Sequence, residues 1–485
     1  MGARTRIAVL AGRATAGLLR ALGRHATTMP GAVALKICPS LLRDLSGETR
    51  VVLVTGTNGK TTTTHLIAGM CEGAGHSVLT NSGGANMTAG LAAAFVADCG
   101  RGGKPRAKVA VLECDEAYVR TAAKALQPRA IVVTNLFRDQ LDRWGEVSHI
   151  RDVLQAGLDA APQAVAVLNA DDSLVASMAE SRDGALVRLF GLGEAFAEVA
   201  GCAENGESGE AAEGDAAGTD AVPVPLEGIT CPRCGSALEF AWRTYGHLGR
   251  FACPSCGFAW VQPQVQAIEM RGEDDHGTSV TVAVDGNLRE LHLALQGTFN
   301  LYNAMAALAC APALGIPDDL AVSALAGVTS SFGRMETFAC GETPVRIILV
   351  KNPVGLDRAL AFLGTAAYPR LFFGLNDKTG DGTDISWIWD ANLEGFFAET
   401  GDGNGDATTA KPQVMGVFGT RAEDMALRLK YAGADMGRVV VLEGYPQVAD
   451  AITADPSPVC ILANYTAMYD LRSLLGQRFG LGDMA

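Results

Sequence analysis

From residue 51 onward, short apolar runs alternate with longer Ala/Leu-rich stretches. The runs at 51–55, 108–113, 130–134, 164–169 and 187–190 are rich in β-branched residues and too short for helices, so they predict strands. A second series follows at 345–350, 370–375, 414–418, 438–442 and 459–463. Strands that alternate with helices predict parallel, doubly wound α/β sheets, here two of them with a boundary near 329–336. Within the first, the runs 279–284 and 288–295 flank Asp285-Gly286-Asn287, a hairpin signal, and a helix follows Gly297. Ahead of residue 45 the chain reads as helical. Residues 4–22 intersperse Arg6, Arg13 and Arg20 among small and apolar residues, which predicts an amphipathic helix that either packs on the protein or touches a membrane surface.

The stretch 201–222 is mostly Ala, Gly, Glu and Asp; it cannot bury a core and predicts a flexible acidic loop. A Gly/Asp/Thr-rich loop is expected at 399–411. The resulting organisation is an N-terminal helical segment 1–44, a central domain 45–330 with an insertion at about 226–262, and a C-terminal domain 331–485.

The run ending in Gly56-Thr57-Asn58-Gly59-Lys60-Thr61-Thr62 carries the most chemistry. A strand, a glycine turn and Lys-Thr opening a helix form a triphosphate cradle. The glycines let backbone N–H groups face phosphate oxygens, and the helix N-terminus adds partial positive charge. Lys60 supplies a full charge for the outer phosphates, and the Thr61 hydroxyl suits Mg²⁺. Only two residues separate Gly56 from Gly59, so the loop is shorter than the common phosphate-loop pattern.

Cys231-Pro-Arg-Cys234 and Cys253-Pro-Ser-Cys256 lie eighteen residues apart, each followed by glycine. That spacing reads as two knuckles closing a structural four-cysteine zinc site, a zinc ribbon with no open position for catalysis. The remaining eight of twelve cysteines are scattered, as in a reduced cytosolic protein rather than a disulfide framework. With 485 residues, 48% apolar and 19% charged, the chain can build sizeable cores, while a net charge of −14 argues against nonspecific nucleic-acid binding. No signal peptide is evident, and no window of eighteen apolar residues predicts a membrane span. The expected location is cytoplasmic, with the N-terminal helix as the segment able to touch the inner face of the membrane.

Glu113 ends one apolar run, where a carboxylate can hold Mg²⁺; the neighbouring Asp115 and Glu116 also suit a helix start. Thr134-Asn135-Leu-Phe-Arg138-Asp139-Gln140-Leu-Asp142-Arg143 ends another. Asn300 and Asn303 share a helical face and suit either an adenine edge or helix-start capping. Arg334, at the domain junction, suits phosphate clamping or an ion pair with Glu336.

The phosphate loop, the strand-end glutamate, the Thr-Asn…Asp segment, the Gly…Asn-x-x-Asn helix and Gly333-Arg334-Met335-Glu336 occur in the order seen in Mur ligases, and the chain resembles that family over roughly residues 45–480; the compact loop is also similar to that of folylpolyglutamate synthases. Three departures stand out: there is no room before the loop for a UDP-binding domain, a cysteine ribbon is inserted, and Asp139-Gln140 and Lys351-Asn352-Pro353 replace Asp-His and His-Asn-Pro. The carbamylated lysine of many relatives has no placed counterpart. Together with Leu375-Asn-Asp377, Asp381-Gly-Thr-Asp384-Ile-Ser-Trp-Ile-Trp-Asp390 and Asn464-Tyr-Thr-Ala-Met468, these departures resemble the MurT family.

The resemblance implies a Mur ligase-like ATP-binding domain and a Rossmann-like C-terminal domain. It implies ATP, Mg²⁺ and structural Zn²⁺ as cofactors, and amidation of the D-glutamate α-carboxylate of the lipid II stem peptide through an acyl phosphate. Ammonia would come from glutamine, hydrolysed by a GatD-type amidotransferase partner; no cysteine is read in a Gly-x-Cys-x-Gly elbow, an absence that agrees with a separate subunit. Lys60, Glu113 and an aspartate of the 381–384 turn carry the implied catalysis. Asp381 and Asp384 both stay open, with Asp384 slightly favoured, for support of the partner's Cys–His pair or the ammonia site; a plain Asx turn is the alternative. Two other readings are a stand-alone amino-acid ligase of the Mur or folylpolyglutamate type, which needs no partner, and a zinc-ribbon nucleic-acid-binding ATPase, which the acidic charge disfavours.

Overall fold

The computed structural model of the chain describes residues 2–22, 27–81, 85–100, 102–137, 147–197, 199–200, 228–274, 277–328, 334–365, 368–378, 381–398 and 412–481. The acidic loop 201–222, the loop 399–411, Arg138 to Arg143, residues 331–333 and the Arg334 side chain lie outside the described residues. Two compact units divide between Thr329 and Ser330.

The first unit is built on β1 (Arg50–Thr55), β2 (Val78–Thr80), β3 (Val109–Glu113), β4 (Ala130–Val133), β5 (Val165–Asn169) and β6 (Val187–Leu192), with β7 (Val199–Ala200), β8 (Glu239–Arg243), β9 (Gly249–Ala252), β10 (Val265–Asp274), β11 (Gly277–Val284) and β12 (Asn287–Leu293) following. Nine of these form one sheet in the order β12-β11-β10-β6-β5-β4-β1-β3-β2. From β2 to β10 every pairing is parallel. β10, β11 and β12 pair antiparallel at one edge, turning at Asp285-Gly286 with both φ positive, as a two-residue hairpin loop requires. The inner strands β3 and β4 are wholly buried because helices cover both faces of a parallel sheet. The sequence pattern does not reveal β10: bulges at Ala267/Glu269 and Met270/Gly272 break its period of two.

β1 lies centrally, and its carboxyl end delivers the phosphate loop into the helix Lys60–Gly73. Ligands of such sheets sit where strands end and helices begin.

The N-terminal segment forms helices Ala3–Ala21, Met29–Ile37 and Leu41–Ser46. Thr5, Ala8, Val9 and Gly12 of the first are buried, and Thr5 Oγ1 donates to Asp44 at 2.6 Å. Gly31 lets the second helix approach the helix Thr88–Asp98 so closely that a Cβ there would stand 1.9 Å from the Ala89 carbonyl oxygen. The sequence expectation that this segment packs on the protein therefore holds for one face of the first helix. Among the described residues, no helix is long and apolar enough to cross a membrane.

The second unit contains β13 (Arg334–Cys340), β14 (Thr343–Leu349), β15 (Arg370–Gly374), β16 (Val414–Phe418), β17 (Val439–Val441) and β18 (Val459–Ala463), in the order β13-β14-β18-β15-β16-β17. All its pairings are parallel except β13 with β14. β13 escapes sequence detection for the same reason as β10, a bulge at Arg334/Glu336.

Candidate active site

The loop between β1 and its helix is held open by side chains beneath it. Gly56 (φ 120°) and Gly59 (φ 84°) adopt conformations that favour glycine. A Cβ on Gly56 would meet Thr134 Oγ1 at 2.4 Å, and one on Gly59 would meet Asn303 Oδ1 at 2.2 Å. The turn after β4 stitches the loop in place. Thr57 N and Asn58 N donate to the Asn135 carbonyl and Oδ1 at 2.8 and 2.9 Å, and Thr134 Oγ1 donates to Asn58 O at 2.7 Å. Thr57 Oγ1 also accepts from Phe137 N at 3.0 Å.

Lys60 is buried, and its ammonium donates to Gly56 O (2.5 Å) and to Glu116 Oε1 (2.9 Å). Thr61 Oγ1 donates to Glu113 Oε2 at 2.7 Å, and Asn86 Nδ2 reaches Glu113 Oε1 at 3.3 Å. Asn81 fixes the end of β3 by accepting from Glu113 N and donating to Glu113 O, both at 2.9 Å. A hydroxyl and a carboxylate in hydrogen-bond contact at the loop form an all-oxygen donor pair, which fits Mg²⁺. Asp115 caps the following turn through Ala117 N, so the capping reading holds for Asp115, while Glu116 pairs with Lys60.

Asn300 and Asn303 are buried. Asn303 accepts from Thr63 Oγ1 at 3.1 Å and donates to Asn300 Oδ1 at 3.2 Å; Asn300 donates to Gln296 O at 2.8 Å. Both carboxamides thus brace the loop and its helix. Sequence reasoning singled out neither Asn81 and Asn86 nor the Glu116 pairing.

The four ribbon cysteines lie within 4.8 Å of one another. Cys231–Cys256 and Cys234–Cys253 sulfur distances are 3.6 and 3.5 Å, near the roughly 3.8 Å edge of a tetrahedron with Zn–S bonds of about 2.3 Å. The knuckles match, with Gly235 and Gly257 both at φ 75°. This donor set fits zinc.

The ribbon is tied to the phosphate loop. The turn between β8 and β9 stacks Tyr245 on Phe137 (centroids 5.9 Å) and sets His247 against the same ring (4.7 Å). Phe137 in turn holds Thr57. Beneath the ribbon, Asp171 is fully buried and accepts from Leu192 N (2.8 Å), Trp260 Nε1 (2.8 Å) and Tyr302 OH (2.7 Å). Burial nevertheless pushes its carboxyl up to about 6 from an ordinary 3.8. The unfolded carboxyl therefore ionises first as pH rises, and between about pH 4 and pH 6 the native state holds the proton that the unfolded state has lost. The Asp171 contribution to stability is largest below that window and falls by about 3 kcal/mol across it. Denaturant titrations at pH 4.5 and 7 should show this slope in the wild type and a flatter one in Asp171→Asn.

Contrary to the sequence expectation, the spacing Gly-x-Cys-x-Gly is present, at Gly69-Met70-Cys71-Glu72-Gly73. It lies inside the helix Lys60–Gly73, with Cys71 buried and its thiol pushed up to about 12 by burial. It has neither the sharp strand-to-helix turn nor the lowered pKa of a nucleophile.

In the second unit, three of the sequence motifs meet at the carboxyl ends of β15, β16 and β18. Asn376 N donates to Asn464 Oδ1 (3.1 Å), and Asn464 Nδ2 donates to Asn376 O (2.7 Å). Asn376 Nδ2 donates to Thr466 Oγ1 (2.8 Å) and Tyr445 OH (3.0 Å). Asp381 is buried and accepts from Thr466 N (2.8 Å) and from the Thr466 hydroxyl; burial raises its carboxyl above the ordinary range. Asp384 is half-buried, and its Oδ1 accepts from Ser386 N (2.8 Å) in the turn Ser386–Trp389. That turn is fixed by the buried Arg428, which donates to Ile388 O and Ala391 O and pairs with Glu394. Trp389 stays exposed and meets Tyr431 edge to face at 5.7 Å. Asn352 caps the helix Pro353–Thr365 through Gly355 N.

Comparisons with known proteins agree with this architecture. Residues 54–213 match the Mur ligase middle domain, and residues 349–468 match the MurT ligase C-terminal family. The fold is similar to a pseudomurein peptide ligase type C from Methanothermus fervidus (TM-score 0.64, 20% identity, 90% of this chain and 81% of that one). It is also similar to MurF ligase from Thermotoga maritima in complex with ADP (TM-score 0.59, 13% identity, 92% and 84%). In sequence, the chain is 32% identical over 480 residues to the lipid II isoglutaminyl synthase (glutamine-hydrolyzing) subunit MurT of Streptococcus pneumoniae, covering 99% of this chain and 98% of the relative. It is 28% identical to the Staphylococcus aureus (strain COL) subunit of the same name, over 95% of each. On this full-length similarity, the chain belongs to the MurT family of Mur ligase-like proteins.

Proposed function

We propose that the protein is the ATP-dependent ligase subunit of a lipid II isoglutaminyl synthase, converting the D-glutamate α-carboxylate of the stem peptide into the amide of D-isoglutamine. The observation that carries this reading is the loop at the ends of β1 and β3, where Lys60 donates to Gly56 O and Glu116 while Thr61 donates to Glu113, in a chain that matches MurT subunits end to end. A substrate carboxylate oxygen attacks the γ-phosphorus of ATP; the bond to the β-phosphate oxygen breaks and ADP leaves. Ammonia then adds its lone pair to the acyl carbon, and phosphate departs with the C–O electrons as nitrogen loses a proton. Bound Mg²⁺ would neutralise phosphate charge, and Thr61 and Glu113 are the residues that would hold it. Lys60, freed from Glu116, would meet the outer phosphates, and the loop's N–H groups would cradle the inner ones. Gly56 to Thr62 would form the ATP site, with Asn300 and Asn303 as its brace. The four ribbon cysteines would hold zinc as a structural staple.

Ammonia is assigned to a GatD-type glutaminase subunit, because Cys71 is buried in a helix and its thiol is held protonated. Asp384 suits contact with that partner better than Asp381 does: it retains exposure beside the exposed Trp389, whereas Asp381 is engaged by Thr466 inside its own unit. Asp384→Asn is expected to lower glutamine-dependent amidation by about tenfold to a hundredfold with little change in ammonia-dependent turnover or melting temperature. Asp381→Asn should instead destabilise the C-terminal unit by about 1–3 kcal/mol. Comparing glutamine and ammonium as nitrogen donors separates the two.

The test of the function itself is co-purification with the glutaminase subunit, followed by incubation with lipid II, ATP and glutamine. Mass spectrometry of the stem peptide should show the loss of about one mass unit that marks carboxylate-to-amide exchange, dependent on both subunits. Turnover with a free amino acid and no partner would instead establish the stand-alone ligase.

A further inference from the structure

The helix Ala3–Ala21 is anchored on one side and bare on the other. Thr5, Ala8, Val9 and Gly12 are buried, and Arg13 donates to Val96 O and Gly100 O. Opposite them, Ile7, Leu10 and Leu18, with Leu22 at the helix end, are 58%, 66%, 63% and 65% exposed. With Ala3, Ala14 and Ala21, also exposed, they fall within an arc of about 120° at 100° per residue. Met29, just beyond, is 55% exposed. Four large aliphatic side chains on one short exposed stripe exceed the scattered surface leucines of an ordinary soluble domain.

Charge decides what this stripe meets. Residues 1–46 hold seven Lys and Arg against one Asp, a balance of +6, in a chain whose total is −14, so the remainder carries −20. The one acid, Asp44, is engaged by Thr5 and Ser40. Arg4 and Arg6 are exposed and flank the stripe on its two sides, and Arg20 is exposed further round. An apolar face rimmed by long guanidinium side chains suits a lipid interface: the aliphatic groups enter the acyl boundary while the arginines reach anionic headgroups. The acidic remainder would be repelled by the same surface, which orients the molecule.

We infer that the N-terminal helix is an interfacial docking helix that seats the protein on an anionic lipid surface. This extends the reading of a membrane-borne substrate, yet its test uses neither that substrate nor ATP, so the two can fail separately. The full-length chain is mixed at low salt with vesicles of phosphatidylglycerol and phosphatidylcholine in equal parts, or of phosphatidylcholine alone, and sedimented. The bound fraction should be about tenfold higher with the anionic vesicles and should fall as salt is raised. Leu10→Glu with Leu18→Glu should abolish binding, and Arg6→Glu should remove the preference for anionic lipid. Both leucines are exposed, so melting temperatures should not move. Absence of sedimentation with anionic vesicles, or sedimentation unchanged by the double substitution, overturns the inference. A wild-type dimer that the double variant converts to monomer also overturns it, because the stripe then belongs to a second copy of the chain.

Discussion

Replacing Lys60 with alanine is expected to lower ATP-dependent amidation by about a thousandfold or more, since an ammonium aimed at developing phosphate charge in a dry site is among the largest electrostatic contributions to catalysis. The structure adds a complication. Lys60 is also the buried partner of Glu116, with both side chains about a tenth exposed. Truncation leaves that carboxylate without its ammonium and should cost about 3 kcal/mol of stability, as removal of one member of a buried pair does. Lost activity in Lys60→Ala alone could therefore be read as lost folding. The double variant Lys60→Met, Glu116→Gln separates the two, because no buried charge is left unpaired. Its melting temperature should return to within a few degrees of the wild type while amidation and nucleotide binding, read by calorimetry with magnesium, stay absent. A double variant that regains turnover along with stability would sink the catalytic assignment of Lys60. Glu116→Gln alone should keep activity, since the amide releases the ammonium to phosphate more readily.

The contrast between Lys60 and Glu116 illustrates what a sequence can and cannot disclose. Lys60 is legible as a candidate because the motif that marks it is contiguous: an apolar strand, two glycines and a helix start. Glu116 is not, because its pairing spans 56 positions and arises only when β3 is laid beside β1. The same holds for the parallel strands, whose apolar runs announce themselves, and for β10 and β13, whose bulges erase the two-residue period. Asn300 and Asn303 read as a pair that could serve ATP or a helix start. Within the chain Asn300 donates to Gln296 O at its own helix start, while Asn303 accepts from Thr63 beneath Gly59. The motifs Leu375-Asn-Asp377, Asp381 to Asp390 and Asn464 to Met468 look unrelated along the chain, yet parallel strand order brings Asn376, Asp381, Asn464 and Thr466 into one hydrogen-bonded cluster. The CxxC pairs announce a metal site but give no hint that the turn between β8 and β9 reaches Phe137.

That reach gives the ribbon a consequence beyond local stability. Its buried core comprises Cys231, Leu238, Phe251, Cys253 and Phe258, so two of its five members are themselves metal-site thiols. With Ala176, Phe240 and Trp260 packed against it, this remains a small core for the short three-stranded sheet β7-β8-β9, and a metal held by the four thiols would supply much of its folding energy. Cys231→Ser or Cys253→Ser should therefore abolish the bound zinc, from about one per chain to none, and release the ribbon. Losing the anchors that Trp260 gives Asp171 and that Tyr245 and His247 give Phe137 should cost the first unit several kcal/mol, roughly 10 °C in melting temperature. Because Phe137 holds Thr57 through its backbone, nucleotide affinity should drop as well, by about tenfold, although no cysteine belongs to the phosphate loop. Phe137→Leu keeps the buried volume close but removes the ring contacts; it should weaken nucleotide binding while zinc content stays at one per chain. If the cysteine variants lose zinc and melt earlier yet bind nucleotide as tightly as the wild type, the ribbon is a local staple and the path through Phe137 to Thr57 carries no coupling. If nucleotide affinity falls in both sets of variants and zinc only in the first, the insertion sets the shape of the loop that holds the phosphates.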